Sequence, residues 1–493
     1  MSATTTAAPV SAEPQPTPPG TPGRTARNAS LLAVATILSR VATFGLAIVM
    51  ARGLGVGSYG RYGFAAAVAT VVVPFADLGL TPYLGREIAR AGAGNDALAR
   101  RLARIKLGLT AGVGLATALV VLLVVGDGSL SAAIVVVLAG LLADGASQFV
   151  YGYFRGSERM GFEARATVLA ALARALGGVV LVFTLGTLMP VLAWMLAVSV
   201  SQMAVALGRF RRVLPRAPSE RPAAGPVAWR SVGAMGLIML FGMVYLRADS
   251  IIAGWVLDQR HVGWYTSAYT LVSGLQIVPW MVAVALTPVF ARSYGRDPGL
   301  FRATWNSGLR AVLLLSLPCA LATSLLAHPI ISLFFGAAFH PAAAALAVLV
   351  WSTPAWALNM TVSVAIRGAG REKWLSAATG GGVVLNLALN FWAISAWGIV
   401  GAAAVTVATE GAVFLVLTAL GISRGIVPWP ALPYGRIGLA LVALAACAVA
   451  LAGWPVEISL TVSLAGYVAV LWLTRVLSAD DLATIRSVAR RRR

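Results

Sequence analysis

Residues 56–82 read VGSYGRYGFAAAVATVVVPFADLGLTP, and residues 262–288 read VGWYTSAYTLVSGLQIVPWMVAVALTP. Both stretches begin with Val-Gly-x-Tyr, contain a Val-Pro pair near the middle and end with Leu-Thr-Pro, whose proline lies 23 residues after the tyrosine. The chain therefore contains an internal repeat with an offset of 206 residues. Each copy has about the 20 apolar residues that a helix needs to cross a bilayer. The repeat predicts a membrane protein built from two equivalent halves.

The composition supports this prediction. Hydrophobic residues make up 59% of the 493 residues and charged residues only 11%, whereas a soluble domain carries about 25% charged residues. Apolar segments long enough to span a bilayer recur fourteen times, at 29–51, 62–84, 107–126, 131–153, 166–187, 189–208, 231–256, 264–290, 311–327, 341–365, 375–395, 398–420, 437–454 and 458–474. We expect an all-α integral membrane protein of about 14 transmembrane helices, with two six-helix lobes in parallel repeat around a central cavity and a C-terminal helical hairpin.

The basic residues indicate how the chain is oriented. Of the 38 Lys and Arg residues, 32 fall in tails and loops on the side of the N-terminus, three lie on the opposite side and three within spans. Cytoplasmic loops carry such an excess, so both termini are predicted to be cytoplasmic. The net charge of +21 does not indicate a nucleic-acid partner, because the arginines separate apolar segments and form no single basic surface.

The spans and the repeat together divide the chain into regions. In chain order they are a disordered cytoplasmic tail (1–27), an N-terminal six-helix lobe (28–208), a basic cytoplasmic linker (209–230), a C-terminal six-helix lobe (231–420), a cytoplasmic loop (421–436), helices 13 and 14 (437–474) and a basic cytoplasmic tail (475–493).

Seven charged residues lie well inside the predicted spans, where each costs about 2.5–3.5 kcal/mol on insertion scales. They are Arg40, Asp77, Asp144, Arg174, Arg247, Asp249 and Glu410. Such residues usually face an aqueous cavity or form structural ion pairs, and the sequence leaves both alternatives open for each of them.

The three arginines are candidate phosphate ligands. Arg40 and Arg247 precede the tyrosines of the two repeat copies by 19 and 18 residues, so they should lie at similar depth, one in each lobe. A guanidinium group binds phosphate oxygens through two parallel hydrogen bonds. Arg40 and Arg247 are therefore placed to bind an anion across the cavity. Arg174 either adds a third positive charge or only extends towards the cytoplasmic membrane surface, since it lies near the cytoplasmic third of its span.

The four acidic residues have alternative interpretations. Asp77, Asp144 and Glu410 are candidates for coupling transport to an ion or proton, or for neutralising the arginines. Asp249 lies two residues after Arg247, and residues two apart on a helix point about 200° apart. Arg247 should therefore face the cavity, and Asp249 a neighbouring helix of its own lobe.

The sequence also resembles a known family. The resemblance rests on LLAVATILSRVATFGLAIVMARGLGVGSYGRYGF (31–64), ISLFFGAAFHPAAAALAVLVWSTPAWALN (331–359) and AIRGAGREKWLSAATGGGVVLNLALNFWAISAWGIVGAAAVTVATE (365–410). These segments are similar to bacterial oligosaccharide and polysaccharide flippases of the multidrug/oligosaccharidyl-lipid/polysaccharide exporter superfamily, and the similarity covers about residues 28–425.

The resemblance implies two lobes around a cavity that opens alternately to each side of the bacterial inner membrane. It implies a lipid-linked oligosaccharide substrate, carried on polyprenyl pyrophosphate and moved from the inner to the outer leaflet. With this substrate, Arg40, Arg247 and Arg174 are the expected ligands of the pyrophosphate. It also implies contact with membrane lipids, a glycan polymerase and other proteins of envelope polysaccharide synthesis.

Two alternatives remain. A multidrug or cation antiporter of the same superfamily should line its cavity with acidic and aromatic residues, which the three arginines argue against. An integral-membrane glycosyltransferase or glycan polymerase needs long outward loops with carboxylates, and only Asp127, Asp258 and Glu457 occur in the predicted outward loops. No cofactor or metal is expected, because the two cysteines lie in apolar segments and the three histidines are isolated.

Overall fold

Helices make up nearly all of the protein. The computed structural model describes residues 22–91, 96–214 and 227–476. In chain order its helices are α1 (Pro22–Asp77), α2 (Leu80–Ala91), α3 (Asp96–Val124), α4 (Gly128–Gly156), α5 (Gly161–Leu185), α6 (Leu188–Val213), α7 (Trp229–Val256), α8 (Gln259–Leu275), α9 (Ile277–Ser293), α10 (Pro298–Leu325), α11 (Ala327–Phe335), α12 (Ala342–Leu349), α13 (Ser352–Gly368), α14 (Glu372–Ser423), α15 (Tyr434–Ala450) and α16 (Val456–Leu473). Ten helical segments of these ranges are long and apolar enough to cross a membrane, and α15 is a shorter apolar helix.

Two of the helices, α1 and α14, reverse direction at a glycine. Gly55 in α1 has φ +77° and Gly398 in α14 has φ +58°, a conformation that glycine adopts without a steric penalty. The two arms of α14 touch directly beyond the reversal, since a Cβ added to Gly401 would lie 2.1 Å from the carbonyl oxygen of Ala393. Each of these long helices therefore provides two membrane crossings.

Two other crossings are broken in the middle, α8–α9 and α12–α13. Proline lacks a backbone N–H, and its ring clashes with the carbonyl four residues earlier. Pro279 and Pro354 accordingly follow the breaks, since α8 ends at Leu275 and α12 ends at Leu349. Counted in this way, the described residues cross the membrane fourteen times. The predicted all-α architecture of two six-helix lobes and a C-terminal hairpin is confirmed.

Some predicted boundaries are wrong. Helix α1 begins at Pro22, so residues 22–27 are helical and do not belong to a disordered tail. Helix α6 continues to Val213, so the start of the predicted linker at 209–230 is helical too. The remaining parts of the predicted tails and linker, 1–21, 215–226 and 477–493, lie outside the described residues.

The membrane face on which α1 begins is called the N-side below, and the opposite face the far side. On the far side, Asp127 and Asp258 cap the N-termini of α4 and α8 by accepting hydrogen bonds from backbone N–H groups. The hydroxyl of Ser129 and these backbone donors lower the pKa of Asp127. Both carboxylates thus have a structural role at helix ends.

The two lobes meet where the two copies of the repeated stretch pass each other. A Cβ added to Gly60, in the second arm of α1, would lie 1.7 Å from the carbonyl oxygen of Gln259 in α8. A Cβ added to Gly263 would lie 2.3 Å from the carbonyl oxygen of Val56. Backbones approach this closely only where a residue has no side chain. Glycine is therefore required at both positions of this contact.

Aromatic rings close the far side around this contact. The Tyr59 ring lies 6.3 Å from that of Phe335 and 6.1 Å from that of Phe339, and the Tyr59 hydroxyl lies 3.0 Å from the Thr270 hydroxyl. The guanidinium group of Arg52 also donates a hydrogen bond to the carbonyl of Leu333. The described structure is thus closed between the lobes on the far side.

This contact makes a prediction about accessibility. Gly60→Val should separate α1 from α8 and open the far side, because the valine would overlap the Gln259 backbone. A cysteine in place of Thr270, in a background lacking Cys319 and Cys447, should then react several-fold faster with an impermeant thiol reagent added on the far side. Gly57→Val is the matched control, because a Cβ at Gly57 meets no atom within 4 Å. Equal labelling in both variants would contradict the assignment.

Candidate functional site

A cavity of about 980 Å³ lies between the lobes. Both arms of α1 together with α4 and α5 form one wall, and α7 to α11 with α16 form the other. Twelve of the lining residues carry a hydroxyl group, and the charged lining residues are Arg40, Arg247, Glu163 and Glu457. The cavity therefore offers two guanidinium groups among many hydrogen-bonding hydroxyls.

The structure places Arg40 and Arg247 in this cavity, from opposite lobes. The Cζ atom of Arg247 lies 4.9 Å from the ring centroid of Tyr269, and that of Arg40 lies 6.0 Å from Trp280. Stacking on a ring uses the face of a guanidinium group and leaves its in-plane N–H donors available. Among the described residues, no carboxylate lies within ion-pair distance of either arginine, and Arg247 Nε has no hydrogen-bond partner.

Asp249 points away from this cavity, towards other helices of its own lobe. Its Oδ2 accepts a 2.5 Å hydrogen bond from the Tyr265 hydroxyl of α8 and lies 3.4 Å from the Thr406 hydroxyl of α14. Oδ1 accepts a 2.6 Å hydrogen bond from the Ser250 amide. The location agrees with the helical geometry that separates Asp249 from Arg247.

Arg174 does not line the cavity, in contrast to the expectation that it is a third phosphate ligand. Its Nη2 lies 2.5 Å from Asp144 Oδ1, 3.0 Å from the Ser199 hydroxyl and 3.0 Å from Gln202 Oε1. These partners belong to α4 and α6, so the guanidinium group joins three helices of the N-terminal lobe. Of the two alternatives for Asp144, the structure places it as the partner that neutralises Arg174.

Asp77 also has a cationic partner, which the sequence did not indicate. Lys106 Nζ lies 2.8 Å from Asp77 Oδ1, and both side chains are buried. The Thr81 hydroxyl donates a 2.5 Å hydrogen bond to the same carboxylate oxygen. Lys106 was assigned to the loop 85–106, but α3 begins at Asp96 and carries it into the lobe. The sequence gives one indication that Lys106 is unusual, which is that the chain contains just two lysines.

Glu410 lies in the C-terminal lobe beside a second, much smaller cavity. The Asn359 amide donates a 2.7 Å hydrogen bond to Glu410 Oε2 and a 2.9 Å bond to its backbone carbonyl. Asp249 and Glu410 both border this small cavity, of about 20 Å³. Tyr269 borders it as well as the large cavity, and is the lining residue that the two cavities share.

Two further polar residues of the large cavity were missed. Gln148 and Glu163 line it near the N-side ends of α4 and α5. Glu163 was assigned to a loop because the predicted fifth span starts at residue 166, whereas α5 begins at Gly161 and buries this side chain. A helix turn containing charged residues at a membrane boundary gives no signal in a search for apolar segments.

Comparisons with known proteins agree with this architecture. The family model described as "Polysaccharide biosynthesis protein" matches residues 25–294, which is more than half of the chain, and the model described as "MatE" matches residues 234–392. No curated protein is significantly similar to the chain in sequence.

Solved structures are similar in fold. The lipid II flippase MurJ in an inward closed conformation has a TM-score of 0.69 at 14% identity, covering 90% of this chain and 98% of that chain. An inward-facing multidrug resistance MATE family transporter of the MOP superfamily has a TM-score of 0.63 at 18% identity, covering 81% and 98%. A MOP superfamily transporter from Pyrococcus furiosus Vc1 (DSM3638), described as having a binding pocket of reverse polarity, has a TM-score of 0.57 at 17% identity, covering 81% and 96%.

The environment of Arg174 makes a prediction about stability. Arg174→Ala should lower the melting temperature of the purified protein, because removing one member of a partly buried pair leaves the other without its partner, at a cost of about 1–3 kcal/mol. Adding Asp144→Asn to Arg174→Ala should recover part of the loss in melting temperature. Transport per folded molecule should stay close to wild type in both variants. Arg165→Ala, on the exposed surface of the same helix, is the control. A large loss of transport without a change in melting temperature would instead restore Arg174 as a substrate ligand.

Proposed function

Because the chain belongs to the polysaccharide biosynthesis protein family, a family of membrane transporters and not of enzymes, we propose that it is an alternating-access flippase for polyprenyl-pyrophosphate-linked oligosaccharides. In this proposal the substrate moves from the inner to the outer leaflet for the synthesis of cell-envelope polysaccharide.

One observation carries the proposal: the cavity between the lobes contains two guanidinium groups that have no carboxylate partner among the described residues. A pyrophosphate is a compact anion with several oxygens, which suits two arginines supplied by opposite walls. The hydroxyl-rich lining suits a glycan, whose own hydroxyls need donors and acceptors inside the membrane. The C-terminal hairpin adds the apolar residues Val456 and Leu460 to the same cavity, which suits the polyprenyl chain.

The orientation follows from the charge distribution. We infer that the N-side is cytoplasmic, since 32 of the 38 basic residues belong to it, and that the membrane is the bacterial inner membrane. The described conformation, closed on the far side, is then the one that accepts substrate from the cytoplasm. Partners in this proposal are the lipid-linked substrate, membrane lipids, a glycan polymerase and other proteins of envelope polysaccharide synthesis.

Asp249 and Glu410 are our candidates for coupling transport to a proton or cation gradient. A buried carboxylate without a cation is costly unless it is protonated or binds a cation. Asp77 and Asp144 have Lys106 and Arg174, whereas among the described residues Asp249 and Glu410 have only hydrogen-bonding partners. The small cavity between them gives a cation or proton a place to bind.

A second candidate is a multidrug or cation antiporter. The match of the MatE model to residues 234–392 favours it, as do Glu163 and Glu457 on the cavity wall. Proteoliposome uptake of a cationic dye distinguishes the two functions. An antiporter should move the dye and ignore a polyprenyl-pyrophosphate-linked sugar, whereas a flippase should do the reverse.

Arg247 provides the sharpest test of the flippase. Arg247→Ala should reduce binding of a polyprenyl-pyrophosphate-linked N-acetylhexosamine about ten- to a hundred-fold, because a charge-assisted hydrogen bond contributes about 1.5–3 kcal/mol. Arg247→Lys should be nearly as damaging, since an ammonium group keeps the charge but loses the second parallel hydrogen bond. Flipping is measured as the fraction of probe that becomes accessible to an impermeant glycosidase.

Arg260→Ala, at an exposed position on the far side, is the control and should behave as wild type. Asp249→Asn should fold normally but lose the dependence of flipping on the proton or cation gradient, since an amide does not titrate and carries no charge to hold a cation. Normal flipping by Arg247→Ala would refute its role as a pyrophosphate ligand, and unchanged gradient dependence in a well-folded Asp249→Asn variant would refute the role of Asp249 in coupling.

The orientation has its own prediction. In intact cells, and in a background lacking Cys319 and Cys447, a cysteine in place of the exposed Arg260 should react with an impermeant thiol reagent. Cysteines in place of Ala97 or Leu300, which are exposed on the N-side, should react only after the cells are permeabilised. Labelling of Ala97→Cys from outside would refute the inferred orientation.

A further inference from the structure

Four polar residues lie together where the large cavity approaches the N-side. The set, called the Glu163 cluster here, consists of Gln148, Arg155, Glu163 and Thr167. Gln148 and Arg155 belong to the last turns of α4, and Glu163 and Thr167 to the first turns of α5. Gln148, Glu163 and Thr167 line the cavity, and neither the pyrophosphate site nor the proposed coupling site uses them.

The hydrogen bonds of the cluster leave groups free to face the cavity. Arg155 Nη2 donates a 3.0 Å hydrogen bond to Gln148 Oε1, so the Gln148 amide nitrogen keeps its own donors. Arg155 Nε lies 3.2 Å from Glu163 Oε2, and the Glu163 side chain is only 7% exposed. This oxygen has no hydrogen-bond partner among the described residues. The cluster thus presents a neutralised carboxylate, an amide donor and a hydroxyl on one wall.

The fold itself does not require these groups. The repeat also relates the α4–α5 turn to the α13–α14 turn, since Arg155-Gly156 corresponds to Arg367-Gly368. Counted from this Arg-Gly pair, Gln148 corresponds to Met360 and Glu163 to Leu375. Both lobes therefore build the turn with the arginine, but the positions of Gln148 and Glu163 hold the apolar residues Met360 and Leu375 in the C-terminal lobe. Because the equivalent α13–α14 turn folds without polar side chains at these two positions, the side chains of Gln148 and Glu163 are candidates for binding a ligand.

We propose that the Glu163 cluster is a glycan subsite that binds a neutral or N-acetylated sugar unit and disfavours a uronic acid. The Glu163 carboxylate can accept a hydrogen bond from a sugar hydroxyl, and the Gln148 amide can donate one to a ring or acetamido oxygen. The charge of Arg155 is already paired with Glu163, so an acidic sugar at this wall would meet the like charge of the Glu163 carboxylate. The proposal rests on the flippase function, because it assumes that a glycan enters the cavity.

The test compares three probes on the purified full-length protein: polyprenyl pyrophosphate alone, the same carrier with one N-acetylhexosamine, and the carrier with one hexuronic acid. Binding constants are measured in detergent by fluorescence titration with labelled carriers. The wild-type protein should bind the N-acetylhexosamine probe more tightly than the bare carrier, and the uronic acid probe more weakly. Glu163→Gln should lower the affinity for the N-acetylhexosamine probe about ten-fold and leave the affinity for the bare carrier unchanged. The affinity for the uronic acid probe should rise towards that of the bare carrier.

Two further variants complete the test. Glu87→Gln removes a carboxylate that is also paired with arginines on the N-side but lies outside the cavity, so it should change none of the three affinities. Gln148→Leu leaves the Glu163 carboxylate in place, and should weaken only the N-acetylhexosamine probe even if Glu163→Gln folds poorly.

The subsite is refuted if Glu163→Gln and Gln148→Leu weaken the bare carrier as much as the sugar probe, or if wild type does not distinguish the sugar probes. Failure of the flippase function gives a different result, in which none of the three probes binds wild type and Arg247→Ala has no effect. That result would overturn both proposals.

Discussion

The close approach of α1 and α8 at Gly60 and Gly263 is the contact on which the rest of the structure depends. It joins two lobes that otherwise surround a large polar cavity, and it closes that cavity on the far side. Gly263 corresponds in the repeat to Gly57 and not to Gly60, so the two copies meet about one helical turn out of register. Gly57 itself has no neighbour within 4 Å of an added Cβ. The two halves are therefore equivalent in fold but not in the surfaces by which they touch.

The lobes also differ in how they bury charge. In the N-terminal lobe, Asp77 and Asp144 are neutralised by Lys106 and Arg174 from other helices of that lobe. A buried ion pair of this kind resists change, because separating its members exposes an uncompensated charge. In the C-terminal lobe, the hydrogen bonds of Asp249 and Glu410 come from tyrosine, threonine, serine and asparagine side chains and from a backbone amide. Such carboxylates can gain or lose a proton or cation without breaking an ion pair.

The sequence predicted the features that follow from periodicity. The repeat predicted the lobes, its spacing predicted the similar depth of Arg40 and Arg247, and the helical period separated Arg247 from Asp249. Ion pairs between side chains of different helices leave no such periodic pattern in the sequence, so they could not be predicted from it. The repeat spacing relates Arg40 to Arg247, but nothing in the sequence shows that Arg174 forms an ion pair with Asp144 on another helix. Lys106 and Glu163 were missed for a related reason, since a search for apolar segments ends each span at the first charge, whereas α3 and α5 begin several residues earlier.

Tyr269 connects these two kinds of site. Its ring stacks on the guanidinium group of Arg247 in the large cavity and also borders the small cavity beside Asp249 and Glu410. Charges interact strongly over such short distances in a medium of low dielectric constant. If the acids couple transport, as proposed, a change in their charge acts on Arg247 across a single side chain. Asp77 and Asp144 of the N-terminal lobe are less suited to such a response, because each already forms an ion pair, with Lys106 and Arg174. The division of roles between the lobes thus follows from where the chain places its unpaired carboxylates.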